Sequence, residues 1–208
     1  MEKQDYRKVY KEFYLPASTP TIIEIPSMQF AAIDGQGDPN GEAFSLATAA
    51  LYSLSYAVKM SYKSSSVPPG FFDFTVFPLE AQWSLSDTGK SVTDKSNYAY
   101  TAMIRQPEFC SQELFDRFLT EVKRKKPNPM LGDLVLRQIR DGICCQMLHL
   151  GSYDNEPASF DAMERYCQEN GYVRCSHQHR EIYLSDPRKT NADKLKTVLR
   201  FQIVRKTA

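Results

Sequence analysis

The chain has 208 residues, 42% of them hydrophobic and 12% aromatic, enough apolar material for one large domain or two small ones with packed cores. Its 26 Lys and Arg nearly balance 25 Asp and Glu, leaving a net charge of +1, so no global field draws it to nucleic acid or to an anionic membrane. The opening Met1–Tyr6 lacks the apolar core of a secretory signal and no apolar run reaches the roughly 18 to 20 residues that span a bilayer, which points to a cytoplasmic protein.

Tyr6 to Ile25 is rich in Tyr and Lys and broken by Pro16 and Pro20, and residues 1–25 read as an arm lying on a domain that occupies 26–208. A strand is expected from Gln29 through Ile33, running into Asp34–Asn40, where Gly35 and Gly37 are free to take positive φ. The helix that follows, over about 41–62, places Phe44, Ala47, Ala50, Leu51, Leu54 and Val58 on one buried stripe. Tyr52, Tyr56 and Lys59 share a different face. Ser64–Gly70 ends the helix, and Phe71–Leu79 reads as a strand running into Glu80 and Trp83.

After a polar loop, Ser84–Ser96, the segment Tyr98–Arg105 is strand-like, with Tyr98 and Tyr100 on one face because side chains alternate. Pro107 stops it, and Ser111 begins a helix whose core stripe is Leu114, Phe115, Phe118, Leu119 and Val122. Its basic end, Lys123–Lys126, suits a helix C-terminus and reads as a solvated cap rather than a nucleic-acid patch.

The second half repeats the order of the first. A strand from Ile143 to Leu150 leads through the turn Gly151–Pro157 to a helix over about 157–169, stopped by Asn170-Gly171, and then to strands around 176–185 and 195–204. Strand-helix-strand-strand written twice, over about 26–110 and 138–206, predicts an α+β fold. Two similar modules join their strands edge to edge in an antiparallel-rich sheet, with helices on one side and a ligand cleft between the halves.

Within that frame Glu181 is the most telling residue, a carboxylate in a strand of apolar and aromatic neighbours that must be paired, neutralised or used. A structural salt bridge and a functional role are the two alternatives. If a pseudo-twofold axis relates the halves, Glu80 occupies the corresponding strand and faces the same cleft, orienting a ligand or raising the proton affinity of Glu181; a solvated strand-end carboxylate is the other reading. Trp83, Tyr98 and Tyr100 are either walls for a planar ligand or ordinary core aromatics. His149 is either a proton carrier near neutral pH or a hydrogen-bonded strand residue.

Five cysteines and the pair His177 and His179 show no zinc-type spacing, so no metal is expected and the thiols read as reduced and mostly buried. Gly35-Gln36-Gly37 lacks the third glycine of a dinucleotide fingerprint, and no cofactor is expected.

Five segments in order resemble the motifs of the GyrI-like small-molecule-binding proteins: Phe30–Pro39, Pro78–Glu80, Ile104–Phe109, Leu148–Pro157 and His179–Pro187, together covering about 26–204. The resemblance implies a duplicated fold with a ligand groove between its halves, aromatic walls, and a buried glutamate that by motif is Glu181. Multidrug-sensing transcription regulators carry a similar domain behind a helix-turn-helix, and no such segment is expected in the proline-broken first twenty-five residues, which argues against direct contact with nucleic acid.

A stand-alone branch of the family, the cyclopropanoid cyclopropane hydrolases, opens the strained ring of yatakemycin-type DNA-alkylating compounds. On that resemblance Glu181 is the general base for an attacking water. Tyr56, on the helix face left over after core packing, is either a phenol donor to the ketone oxygen or an ordinary exposed tyrosine, and Glu80, Trp83, Tyr98, Tyr100 and His149 are the candidate ligand contacts. The sequence departs from many relatives in having Ser84 after Trp83, and Tyr98 and Tyr100 where tryptophan is usual. Binding a planar aromatic molecule without chemistry, or modulating a protein partner such as DNA gyrase, are the competing expectations.

Overall fold

The structure, a computed structural model, describes residues 3–64, 66–87, 89 and 94–206. Two short helices, α1 (Tyr6–Val9) and α2 (Lys11–Tyr14), precede the long strand β1 (Thr21–Gln36) and the helix α3 (Glu42–Lys59). Strands β2 (Leu79–Leu85) and β3 (Tyr98–Arg105) and helix α4 (Gln112–Lys125) complete the first half. The second half contains β4 (Val135–Leu150), α5 (Glu156–Glu169), β5 (Tyr172–Arg174), β6 (His179–Tyr183) and β7 (Lys196–Arg205).

All ladders are antiparallel, and the seven strands follow the order β4-β1-β3-β2-β6-β7-β5. Within each half the order is the same: β1-β3-β2 in one and β4-β7-β6 in the other. The halves meet edge to edge twice, β1 against β4 and β2 against β6, and β4 also pairs with β7. Every strand except β5 is therefore tied into one closed ring of pairings, leaving few open edges for unwanted strand addition. The duplicated α+β architecture read from the sequence is what the chain adopts.

The helix stripe packs as its periodicity requires. Ala47, Ala50, Leu51, Leu54 and Val58 of α3 are buried with Phe115, Phe118 and Val122 of α4 against Ala31, Ile33, Ala81, Ala102 and Ile104 of the sheet. Ser111 caps α4 by accepting from the backbone N–H of Leu114. Gly37, at φ 109°, takes the left-handed turn that leads to α3. Gly35 serves differently: it stays in β1, and a Cβ there would collide with the Tyr100 ring lying across it.

Several boundaries differ from the sequence reading. β1 begins at Thr21, inside the expected arm, and runs past Pro26, which falls at a gap in the ladder between Ile25↔Gly142 and Ser27↔Arg140. β4 starts at Val135 rather than near Ile143, because the outer half of the β1–β4 ribbon carries exposed residues such as Arg137, Gln138 and Arg140 that mask its strand pattern. Phe71–Pro78 makes no ladder; a single bridge from Phe74 to Gln4 ties it to the arm, and Glu80 and Trp83 lie inside β2 rather than beyond a strand. β5, only three residues long, escapes any periodicity argument. Residues 88 and 90–93 of the expected loop lie outside the described residues.

The inner face of the ring holds charge as well as apolar side chains. Arg180 donates to Glu80 at 3.1 Å and to Asp141 at 2.8 Å, and its guanidinium lies 5.2 Å from the centre of the Phe30 ring. The arm closes over this network: Tyr14 donates to Glu80, Arg200 to the Phe13 carbonyl, and Gln146 to the Glu12 carbonyl. Replacing Arg180 by Leu leaves two carboxylates uncompensated at side-chain exposures of 1% and 8%. A loss of about 3 kcal/mol in urea unfolding is expected, and a loss within experimental error would show the pairs to be energetically idle.

Candidate functional site

The site follows from the register of β2 on β6. Ala81 opposite Glu181 and Trp83 opposite His179 share the helix-bearing face, whereas Glu80, Gln82, Arg180 and Ile182 point into the ring. Helix α3 lies over β1 and β3, and α5 over β4 and β5. Trp83, His179, Glu181 and Tyr183 thus share the helix-bearing face of the sheet at the β2–β6 seam, where the halves join.

Glu181 is recessed but reachable, its side chain 12% exposed, with Oε1 3.1 Å from His179 Nε2. The Phe160 ring of α5 meets His179 edge-on at 4.8 Å. Tyr183, two residues on and therefore on the same face, receives the indole N–H of Trp83 at 2.9 Å. Burial and the negative charge of Glu181 push the Tyr183 phenol well above its ordinary range. Tyr153, edge-on to Tyr183 at 6.2 Å, is pushed up to about 12 by burial and then by Glu181.

A second carboxyl group stands at this site. Glu156, the first residue of α5, is 7% exposed, and its Oε1 has no hydrogen-bond partner among the described residues. Burial, and after it the charge of Glu181, pushes its proton affinity up to about 9, so at neutral pH it is a carboxylic acid. The dipole of α5 favours the charged form by up to about 2 kcal/mol, too little to offset that desolvation. One protonated carboxyl within the field of a second, accessible one, with phenols that keep their protons, suits acid–base work.

Of the residues singled out in the sequence, Trp83, Tyr98 and Tyr100 do come together. Trp83 lies 6.0 Å from Tyr98 and 5.4 Å from Tyr100, and Phe44 of α3 closes on Trp83 at 5.3 Å. Tyr100 is 3% exposed, and Tyr98 is half-buried at the rim. Glu80 is not with them: one residue from Ala81 in a strand, it faces the opposite side of the sheet from Glu181 and is bound to Arg180 and Tyr14. The expected pairing of Glu80 with Glu181 is therefore corrected by side-chain alternation, and the second carboxyl is Glu156.

His149 uses both ring nitrogens within the fold. Nε2 donates to the Ser152 carbonyl at 3.0 Å, which leaves Nδ1 to accept from the Ser159 hydroxyl at 2.9 Å, pinning the turn to α5. Tyr56 is 55% exposed on α3, its ring 6.3 Å from that of Tyr52. Cys110 and Cys144 are buried free thiols pushed up to about 12, a neutral state unsuited to nucleophilic attack. Among the described residues no group of three His, Cys, Asp or Glu is placed to hold a metal, and no helix is long and apolar enough to cross a membrane.

The profile of the GyrI-like small molecule binding domain matches residues 18–204. Among solved structures the chain is similar to a hydrolase from Listeria innocua, at 33% identity and a TM-score of 0.89 over 97% of this chain and 100% of that one. A second hydrolase structure from Listeria innocua shows 34% identity and a TM-score of 0.90 over 98% and 100%. The C-terminal domain of EcmrR shares the fold at 13% identity, with a TM-score of 0.54 over 90% of this chain and 98% of that domain. No curated protein matches the chain significantly. With its duplicated halves and a match to the GyrI-like small molecule binding domain over residues 18–204, the chain belongs to the GyrI-like small-molecule-binding family.

Proposed function

We propose that the chain is a cofactor-independent hydrolase that opens the cyclopropane ring of planar cyclopropanoid alkylators by adding water, a detoxifying reaction. The observation that carries this reading is Glu181, a recessed yet reachable carboxylate bonded to His179 on the sheet face that also carries the Trp83 and Tyr100 rings. The likeness to hydrolases from Listeria innocua at 33% and 34% identity supports it.

In this reading the planar ligand lies along Trp83, Tyr98 and Tyr100 with its strained ring toward Glu181. Glu181 takes a proton from water as the water oxygen bonds to the cyclopropyl carbon. The ring C–C bond breaks, and its electron pair passes through the conjugated dienone to the ketone oxygen, which gains a proton and becomes a phenol. Tyr153, whose phenol keeps its proton, serves as a hydrogen-bond donor that stabilises the developing charge on that oxygen, and the proton that completes the product phenol comes from water. Tyr56, exposed on α3, serves only a ligand that extends as far as Tyr52.

Aromatic walls also bind flat molecules without chemistry, and the family's small-molecule binding keeps sequestration as the second reading. Incubation with a yatakemycin-type cyclopropanoid in excess, followed by mass analysis, separates the two. A product heavier by one water, formed over many turnovers per chain, is expected. Recovery of one unchanged molecule per chain would favour sequestration and end the hydrolase reading.

A further inference from the structure

A base that takes a proton from water must lose it before the next turnover, and a planar ligand lying over this face of the sheet separates Glu181 from the solvent on that side. We propose that His179 is the positioning residue that returns this proton from Glu181 to bulk water, an inference that rests on the hydrolase reading above. His179 Nε2 lies 3.1 Å from Glu181 Oε1, and the opposite ring nitrogen, Nδ1, faces the His177 carbonyl at 3.5 Å in the exposed stretch 175–178. Its side chain is 22% exposed against 12% for Glu181, so the ring reaches from the recessed carboxylate toward water. The Phe160 ring on α5 packs edge-on against it at 4.8 Å.

The other titratable neighbours of Glu181 do not offer this route. Glu156 already carries a proton, and its Oε1 is sealed from water. Tyr183 is bound by the Trp83 indole, and Tyr153 and Tyr98 have their phenols pushed upward, so none of the three gives up its proton readily at neutral pH. Imidazole has two nitrogens that trade protons near neutrality, and here one meets the base while the other points outward.

The transfer balances without any further reagent. With the ring's own proton on Nδ1, the carboxylic proton of Glu181 passes to Nε2 and gives an imidazolium. The Nδ1 proton then leaves to water. Glu181 is again a carboxylate and the imidazole is neutral with its proton on Nε2; a half-turn of the ring about Cβ–Cγ then lets Nε2–H exchange with water for the Nδ1 form, and the reverse half-turn closes the cycle. In the Nε2–H form the ring donates to the carboxylate across the 3.1 Å contact, and in the Nδ1–H form Nε2 accepts from the protonated carboxyl.

The test compares wild type, His179→Gln and Glu181→Gln on a yatakemycin-type cyclopropanoid at low buffer concentration, then with added imidazole. Gln keeps an amide donor to Glu181 but conducts no proton, so kcat of His179→Gln should fall about 10- to 100-fold with KM nearly unchanged. Added imidazole should restore much of that loss while leaving wild type unaffected. An unchanged kcat, or a lowered kcat that stays flat as imidazole rises, would overturn the relay and leave His179 a merely orienting group. Thermal melts confirm that the variant is folded. Absence of turnover by wild type, or equal rates for wild type and Glu181→Gln, would instead bring down the hydrolase reading itself, and the relay with it.

Discussion

Glu181→Gln should lower kcat on a cyclopropanoid by about 10²- to 10⁴-fold while leaving ligand affinity, read from quenching of the single tryptophan, little changed. The substitution is nearly isosteric. Its amide oxygen still accepts from His179 Nε2, so the site keeps its geometry and loses only the capacity to take a proton. Trp83 is a fitting reporter because it is the single tryptophan and sits beside Tyr183 and Tyr100 on the same sheet face as Glu181. Glu156 is no substitute base in the variant, since burial is the first cause of its retained proton and is untouched by the change. Equal turnover by wild type and variant would remove Glu181 from the chemistry; parallel loss of turnover and quenching would make it a binding residue only.

Much of this arrangement was open to reading from residue order. The apolar stripe of α3, the Asn170-Gly171 stop of α5 and the strand-helix-strand-strand repeat are local signals, and they fixed the duplicated fold. Tyr183 was legible too: in a strand, a residue two beyond Glu181 must share its face. Alternation equally forbids Glu80 and Glu181 from facing one side, once Ala81 is known to oppose Glu181. That register is a long-range pairing between halves, and nothing local announces it.

Glu156 was hidden for a different reason. An acidic residue at a helix start before proline usually sits in water and favours the helix dipole, so its type and position suggest a solvated cap. Its burial comes from where α5 docks, a property of tertiary packing. Likewise the wet outer half of the β1–β4 ribbon carries too many exposed polar side chains to show a buried-face rhythm.

The buried acid has a thermodynamic signature that can be measured without any ligand. At pH values below the ordinary Glu range near 4.5, folded and unfolded chains both hold the Glu156 proton, and the group does not affect their balance. Between 4.5 and about 9 the unfolded chain sheds a proton that the folded chain retains, so this group makes folding progressively less favourable as pH rises. At about 1.4 kcal/mol per pH unit the cost reaches about 3 kcal/mol at pH 7 and as much as about 6 kcal/mol by pH 9. Glu156→Gln, which carries no charge in either state, should therefore gain on wild type steadily across that range in urea unfolding and lose its advantage at pH 4. Glu181→Gln, by removing the second cause of the upward shift, should flatten part of the same slope. Parallel pH curves for wild type and Glu156→Gln would mean that the carboxyl titrates normally, and the site would then hold two ordinary carboxylates rather than an acid and a base. A cost of this size accords with the acid–base role proposed for the site, because a structural role at the first turn of α5 is met equally well by a neutral residue.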